Sequence, residues 1–266
     1  MKTDQLHLDF SLENYNRENL HKNINALIKM HQMGKLGGEF MPEDARPTSI
    51  EVNSIDNFHF LTFPMALNYQ RNSYKLWEAA AATFLDEETK DVFVPSIVKN
   101  MDIDLLRRKL MKHKLALQPN KHVDTWRTLC IAIADLFDGD VRNIFSSNNN
   151  DVLKIKNVIQ VREKKRFPYL SGPKILNYWL YVIEGYSNTE LINREEITVA
   201  PDTHIIQGSM RLGIIDGKIE DFSQDRTIVS DAWKIALKDL KIAPIDVHTP
   251  LWLWSRRGFP PIDYFE

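Results

Sequence analysis

The 266 residues include 43% hydrophobic side chains, enough to bury the core of one large domain or two small ones. With 36 acidic against 34 basic residues the net charge is -2, so the molecule as a whole is no polycation and any nucleic-acid surface must be a local patch. Cys130 is the only cysteine, which excludes intrachain disulfides and clusters built on several thiolates and points to a reducing compartment.

In chain order, the opening "MKTDQLHLDF" has acidic residues where a secretory signal needs an apolar run, and no later stretch reaches the length of a membrane span. A cytoplasmic, nucleoid-associated protein with no membrane partner is expected. Leu20, Ile24, Leu27 and Ile28 recur at helical spacing, and a loop "GEFMPEDARPTS" (38–49) separates this first helix from the body. Trp126, Leu129, Ile133, Leu136 and Phe137 mark another helix. Short apolar runs, "VFVPSIV" (92–98) and "EEITV" (195–199), are candidate strands, but ten glycines and short connections favour a mainly α fold. "SSNNN" (146–150) reads as a loop.

From Lys154 to Lys174 seven cations face one anion, Glu163. A charge run by itself reads as a solvated helix face. This one leads into "FPYLSGPKILNYWLYVI" (167–183), where Pro173 suits the first helical position, Gly172 the N-cap, and Lys174 falls in the first turn of a helix apolar almost all round. The turn's free N–H groups and the cations Lys164, Lys165 and Arg166 are placed to hold phosphate. An amine at the positive end of a buried helix, partly desolvated, should lose its proton more readily than a free lysine and so serve as a nucleophile; taken alone, the residue reads as a lysine that snorkels to solvent or contacts a phosphate. Further on, Asp202 in "VAPDTHIIQGSMRLGII" (199–215) precedes another helix, in an ordinary N-cap position.

Together, a turn ending Gly-X-Lys at a buried helix start, then hydrophobic-Pro-Asp-Thr-His and a helix ending Arg-Leu-Gly, resemble the helix-hairpin-helix DNA glycosylase superfamily, nearest its archaeal 8-oxoguanine branch. The resemblance implies that Lys174 is the Schiff-base nucleophile and that Asp202 assists it. "FHFLTFPMALNYQRNSYKLWEAA" (58–80) is similar to the family's early helix bearing a glutamine near the DNA, here Gln70, and "HKLALQPNKHVDTWRTLCIAI" (113–133) to the approach to the next barrel helix. "APIDVHTPLWLWSRRG" (243–258) resembles the segment whose acidic residue and tryptophan touch the flipped base; those positions are His248 and Trp252. The family hairpin's first glycine is replaced by Leu170, the segment "NTELINREE" (188–196) reads as an insertion, and Asp246 and Thr249 read as caps of the tryptophan-bearing segment.

The resemblance implies two helical subdomains with a helix-hairpin-helix-like element and the active site in the cleft between them: 1–59 packing with the C-terminal subdomain, 60–190 a helical barrel with the hairpin, and 191–266 carrying the catalytic aspartate. The expected activity is that of a monomeric DNA N-glycosylase and AP lyase on double-stranded DNA containing a modified base, with no cofactor and no metal. Gln70, His248 and Trp252 would fill the DNA gap or line the base pocket; Lys164, Lys165, Arg166 and Gly172 would meet phosphate. The alternatives are excision of hypermodified bases from foreign DNA as antiviral defence, nucleoside or nucleotide N-glycosidase activity, and a non-catalytic DNA-binding module.

Overall fold

The computed structural model describes residues 14–37, 40–222, 226–238 and 240–264; the opening decapeptide and Gly38 and Glu39 of the long loop lie outside them. The described residues are mainly α-helical. The helices are α1 (Asn14–Gln32), α2 (Ile55–Thr62), α3 (Ser73–Leu85), α4 (Pro95–Asn100), α5 (Ile103–Lys112) and α6 (Lys121–Leu136), followed by α7 (Arg142–Ser146), α8 (Val152–Lys156), α9 (Pro173–Tyr186), α10 (Thr203–Arg211), α11 (Thr227–Leu237) and α12 (His248–Arg256). Neither candidate strand forms: Pro95 stands at the first position of α4, and Arg194–Glu196 makes a turn of 3-10 helix leading into extended chain. The extended pairing among the described residues is an isolated parallel bridge, Asp151 to Ile192, which ties the 188–196 segment to the start of α8.

The chain separates into two compact units at 37/38 and 200/201, rather than at 59/60 and 190/191, and residues 243–245 return to the larger one. The shift at the first boundary follows from the loop before α2, whose 3-10 turn Pro42–Ala45 packs on α3.

In the larger unit an aromatic core gathers Phe60, Trp77, Phe93 and Trp126, with the Trp126 indole N–H donating to the Val92 carbonyl at 2.9 Å. α9 buries Leu176, Leu180 and Ile183, each burial stabilising by roughly 1.5–3 kcal/mol. Its Trp179 indole donates to the Thr62 hydroxyl at 2.9 Å, fixing the helix against α2.

In the smaller unit α12 packs on α10 and α1. α10 closes as its sequence implies: Gly213 adopts φ +71°, and the Ile214 N–H reaches back to the Ser209 carbonyl, giving the Arg-Leu-Gly ending its physical reason. α12 is capped differently from expectation. Its N-cap is Val247, with no side-chain cap, and Thr249 is buried inside the helix, because a 3-10 turn, Pro244–Val247, runs directly into it.

Candidate active site

Lys174 is the second residue of α9. Gly172 is the N-cap with φ -66° and ψ 138°, and Pro173 follows at the first helical position. This helix start is held by Asn177, whose amide donates to the Pro173 carbonyl at 2.7 Å and the Thr198 hydroxyl at 2.8 Å while its oxygen accepts the Thr198 N–H. The helix is buried as its composition implies, but Lys174 itself is exposed, since it precedes the first buried position, Leu176. The burial expected of the amine is not seen, and the side chain stands at the positive end of the helix dipole.

Before α9, α8 runs into a turn of π-helix, Asn157–Arg162, and then a 3-10 turn, Lys164–Arg166. Gln160 of the π-turn donates to the Ser171 carbonyl at 3.1 Å, bracing the connection to α9. Single π-turns are costly and concentrate at functional sites. The connection does not offer the free N–H groups expected of it. The N–H groups of Leu170, Ser171 and Gly172 bond to the carbonyls of Pro168, Phe167 and Tyr169 at 2.7, 2.9 and 3.0 Å. Of the cations, Lys164 and Lys165 are exposed, whereas Arg166 is engaged by Asp135 at 2.5 Å, a carboxylate also held by Lys99 at 2.7 Å.

Gln70 lies in the turn before α3, not on a helix, and is exposed with φ 51°. Asn72 caps α3 two residues later, so the chain must turn here. The structure joins this turn to the connection before Lys174: the rings of Tyr69 and Tyr169 stack at 3.9 Å between centroids and 8° between planes. Lys121 lies 5.2 Å from both centroids, and its hydrogen bond holds the Tyr169 hydroxyl below the usual phenol range. Tyr169 has φ 60°, so two left-handed non-glycine residues frame this stack. Arg71 fixes the far side by donating to the carbonyls of Leu115 and Lys114 at 2.8 and 3.2 Å. The larger unit thus brings together Gln70, Tyr69, Lys121 and Tyr169, three residues before the N-cap of α9.

In the smaller unit Asp202 is half-buried at the N-cap of α10, and its Oδ1 accepts the Ile205 N–H at 3.0 Å. Two residues on, His204 Nδ1 meets the buried Ser255 hydroxyl at 3.2 Å, and that hydroxyl donates to Gln207 Oε1 at 3.2 Å. Since Ser255 has one proton and gives it to Gln207, it accepts from Nδ1–H of His204. Trp252 of α12 is half-buried; the Arg256 guanidinium covers one face at 4.5 Å and the His204 ring stands edge-on at 5.9 Å. His248, one turn before Trp252, is 7% exposed.

Sequence reasoning does not single out His204, although it lies inside the Pro-Asp-Thr-His motif, nor Tyr69, Lys121 and Tyr169, which lack a shared sequence signal. Among the described residues no group of three or more histidine, cysteine or carboxylate side chains is placed to hold a metal ion, and no helix is long and apolar enough to cross a membrane. Compared with protein-family models and curated protein sequences, the chain matches none.

Proposed function

We propose that this chain is a DNA N-glycosylase with AP-lyase activity, which extrudes a damaged or modified base from double-stranded DNA and excises it. The observation that carries the reading is the setting of Lys174: the second residue of a buried helix, after a Ser-Gly-Pro turn braced by the π-turn, with the left-handed Tyr169 and its aromatic stack five residues earlier in the chain.

The chemistry needs a nucleophile, a carboxylate and a way to hold an extruded nucleotide. The neutral Lys174 amine attacks the anomeric carbon; the C1′–N glycosidic bond breaks, and its electron pair leaves with the base, which gains a proton. Positive charge builds on the sugar as the bond breaks, and the Asp202 carboxylate stabilises it. Nitrogen loses its proton as the sugar ring opens to a Schiff base. Loss of a C2′ proton then expels the 3′ phosphate. Gln70 fills the gap in the duplex, while Trp252 and His248 meet the base.

The test is to incubate the protein with duplexes each bearing one modified base, under borohydride, and resolve covalent adducts. A reducible adduct is expected, and Lys174→Gln is expected to abolish both adduct and strand cleavage. An adduct at the wild-type level in Lys174→Gln removes the lysine from the mechanism.

A further inference from the structure

Glu43 is a buried acid that the mechanism above does not use. It lies in the 3-10 turn Pro42–Ala45 and is 1% exposed. Its carboxyl accepts hydrogen bonds from its own N–H and from the Tyr178 hydroxyl, yet Oε1 has no hydrogen-bond partner. A buried carboxyl oxygen without a donor is costly, and a residue serving packing alone would be apolar there. The turn is pinned in place by a second hydroxyl of α9, that of Tyr186, which donates to Asp44 at 2.6 Å.

The position of Tyr178 gives the empty oxygen its meaning. Lys174, Tyr178 and Tyr181 lie four and then three residues apart and share one face of α9. Helical side chains lean towards the N-terminus, so Tyr178 covers the turn that carries Lys174. The rise from Lys174 to Tyr178 is roughly 6 Å, comparable with the width of a nucleobase. A substrate whose sugar carbon is at Lys174 can therefore extend its base along this face towards Tyr178 and Glu43.

We propose that Glu43 reads an exocyclic amino group on the base attached at Lys174, its Oε1 accepting the amino N–H while Tyr178 fixes the carboxyl. The assignment rests on the glycosylase reading. A carboxylate at this point accepts from an amine and repels a carbonyl in the same place, so the substrate class is an amino-bearing base, cytosine-like or guanine-like. The titratable groups around Glu43 do not supply the missing donor. Asp44 is engaged by Tyr186, and Tyr178, Tyr181 and Tyr186 come from α9. On α3, which packs against the turn, Lys75 and Glu78 are exposed and Tyr74 donates to the Phe40 carbonyl at 3.2 Å. Burial pushes the Glu43 carboxyl up to about 7, so its full acceptor strength is reached above neutral pH.

Two pairs of duplexes test this. One pair carries 5-hydroxymethylcytosine or 5-hydroxymethyluracil, the other 8-oxoguanine or its analogue lacking the 2-amino group. Single-turnover excision by the full chain is compared for wild type and Glu43→Gln, and borohydride trapping on a preformed abasic duplex is run beside it. The expected result is that wild type prefers the amino member of a pair by about tenfold or more, that Glu43→Gln reduces this to about twofold or less, and that the two proteins trap abasic DNA equally, which also shows the variant is folded. No amino preference, excision of neither member of either pair, or a preference untouched by Glu43→Gln overturns the assignment. Absence of abasic trapping by wild type shows instead that the glycosylase reading fails, and the Glu43 assignment with it.

Discussion

At Gly208 a side chain has no room: an added Cβ would stand 2.5 Å from Cδ1 and 2.6 Å from Cγ of Leu251, where α10 and α12 meet. Gly185, in α9, has nothing within 4 Å of the same atom. Gly208→Ala should therefore destabilise by about 1–3 kcal/mol through overpacking, while Gly185→Ala should stabilise by up to about 1 kcal/mol; urea unfolding of the two variants reads both signs, and equal effects would contradict the close approach of the two helices. His248 poses a question of chemistry rather than volume. An imidazole can donate and accept where a carboxylate only accepts, so His248→Asp should raise excision of 8-oxoguanine relative to modified cytosines. Unchanged relative rates would take His248 out of base recognition. At this scale much was legible in the sequence, because caps obey local rules: Asp202, Gly172 and Pro173 stand where their residue types place them. Glu43 was not legible. In a Pro-Glu-Asp stretch a glutamate reads as a solvated turn residue, and it is the packing of the turn on α3 and the tyrosines of distant α9 that bury it.

At the scale of elements, the connection into α9 separates cations that the sequence groups together. Lys164 and Lys165 are exposed, whereas Arg166 is paired with Asp135. Replacing both lysines by alanine should weaken DNA binding and flatten its salt dependence by about one log-log unit for each phosphate that is no longer neutralised. Arg166→Ala should leave that slope alone. Binding measured across a salt series decides the matter: a slope unchanged in the double variant returns the lysines to the role of a solvated face. The mainly helical character followed from apolar spacing, but the element boundaries near the candidate site did not. The π-turn Asn157–Arg162 has no sequence pattern of its own, and it depends on Gln160 reaching a carbonyl 11 residues on. Gln70 is expected on a helix because its segment resembles the family's early helix; the stacking of Tyr69 on Tyr169, 100 residues away, and the cap at Asn72 hold it in a turn instead. The turn's N–H groups were expected to be free because the pattern shows no partner, and the partners are carbonyls, which every residue carries.

For the molecule as a whole, stability between about pH 4.5 and 7 depends on buried groups that act in opposite senses, three of them in the larger unit. His59 and His122 are each held down to about 4, by burial first in both cases. The unfolded chain protonates them near 6.5 while the folded chain does not, so their contribution is full above about 6.5 and is lost as pH falls towards 4. Glu43 is raised from 4.5 to about 7, again by burial first, so the folded chain keeps a proton that the unfolded chain has released. Its contribution is full below 4.5 and is lost as pH rises through about 7. His59 and His122, joined in the same sense by His31 of the smaller unit, outweigh the one carboxyl, so the wild type should gain stability from pH 4.5 to about 6.5 less steeply than the histidines alone would give. Glu43→Gln removes the opposing group and makes the gain steeper. Relative to wild type, the variant should gain about 2–3 kcal/mol between pH 5 and pH 8, or roughly 5–10 °C in unfolding midpoint. Thermal unfolding of both proteins at pH 5, 6.5 and 8 measures that difference directly. A difference independent of pH would mean that Glu43 ionises as an ordinary exposed glutamate, while a growing one would show that the folded chain keeps a carboxyl in a place unfavourable to its charge.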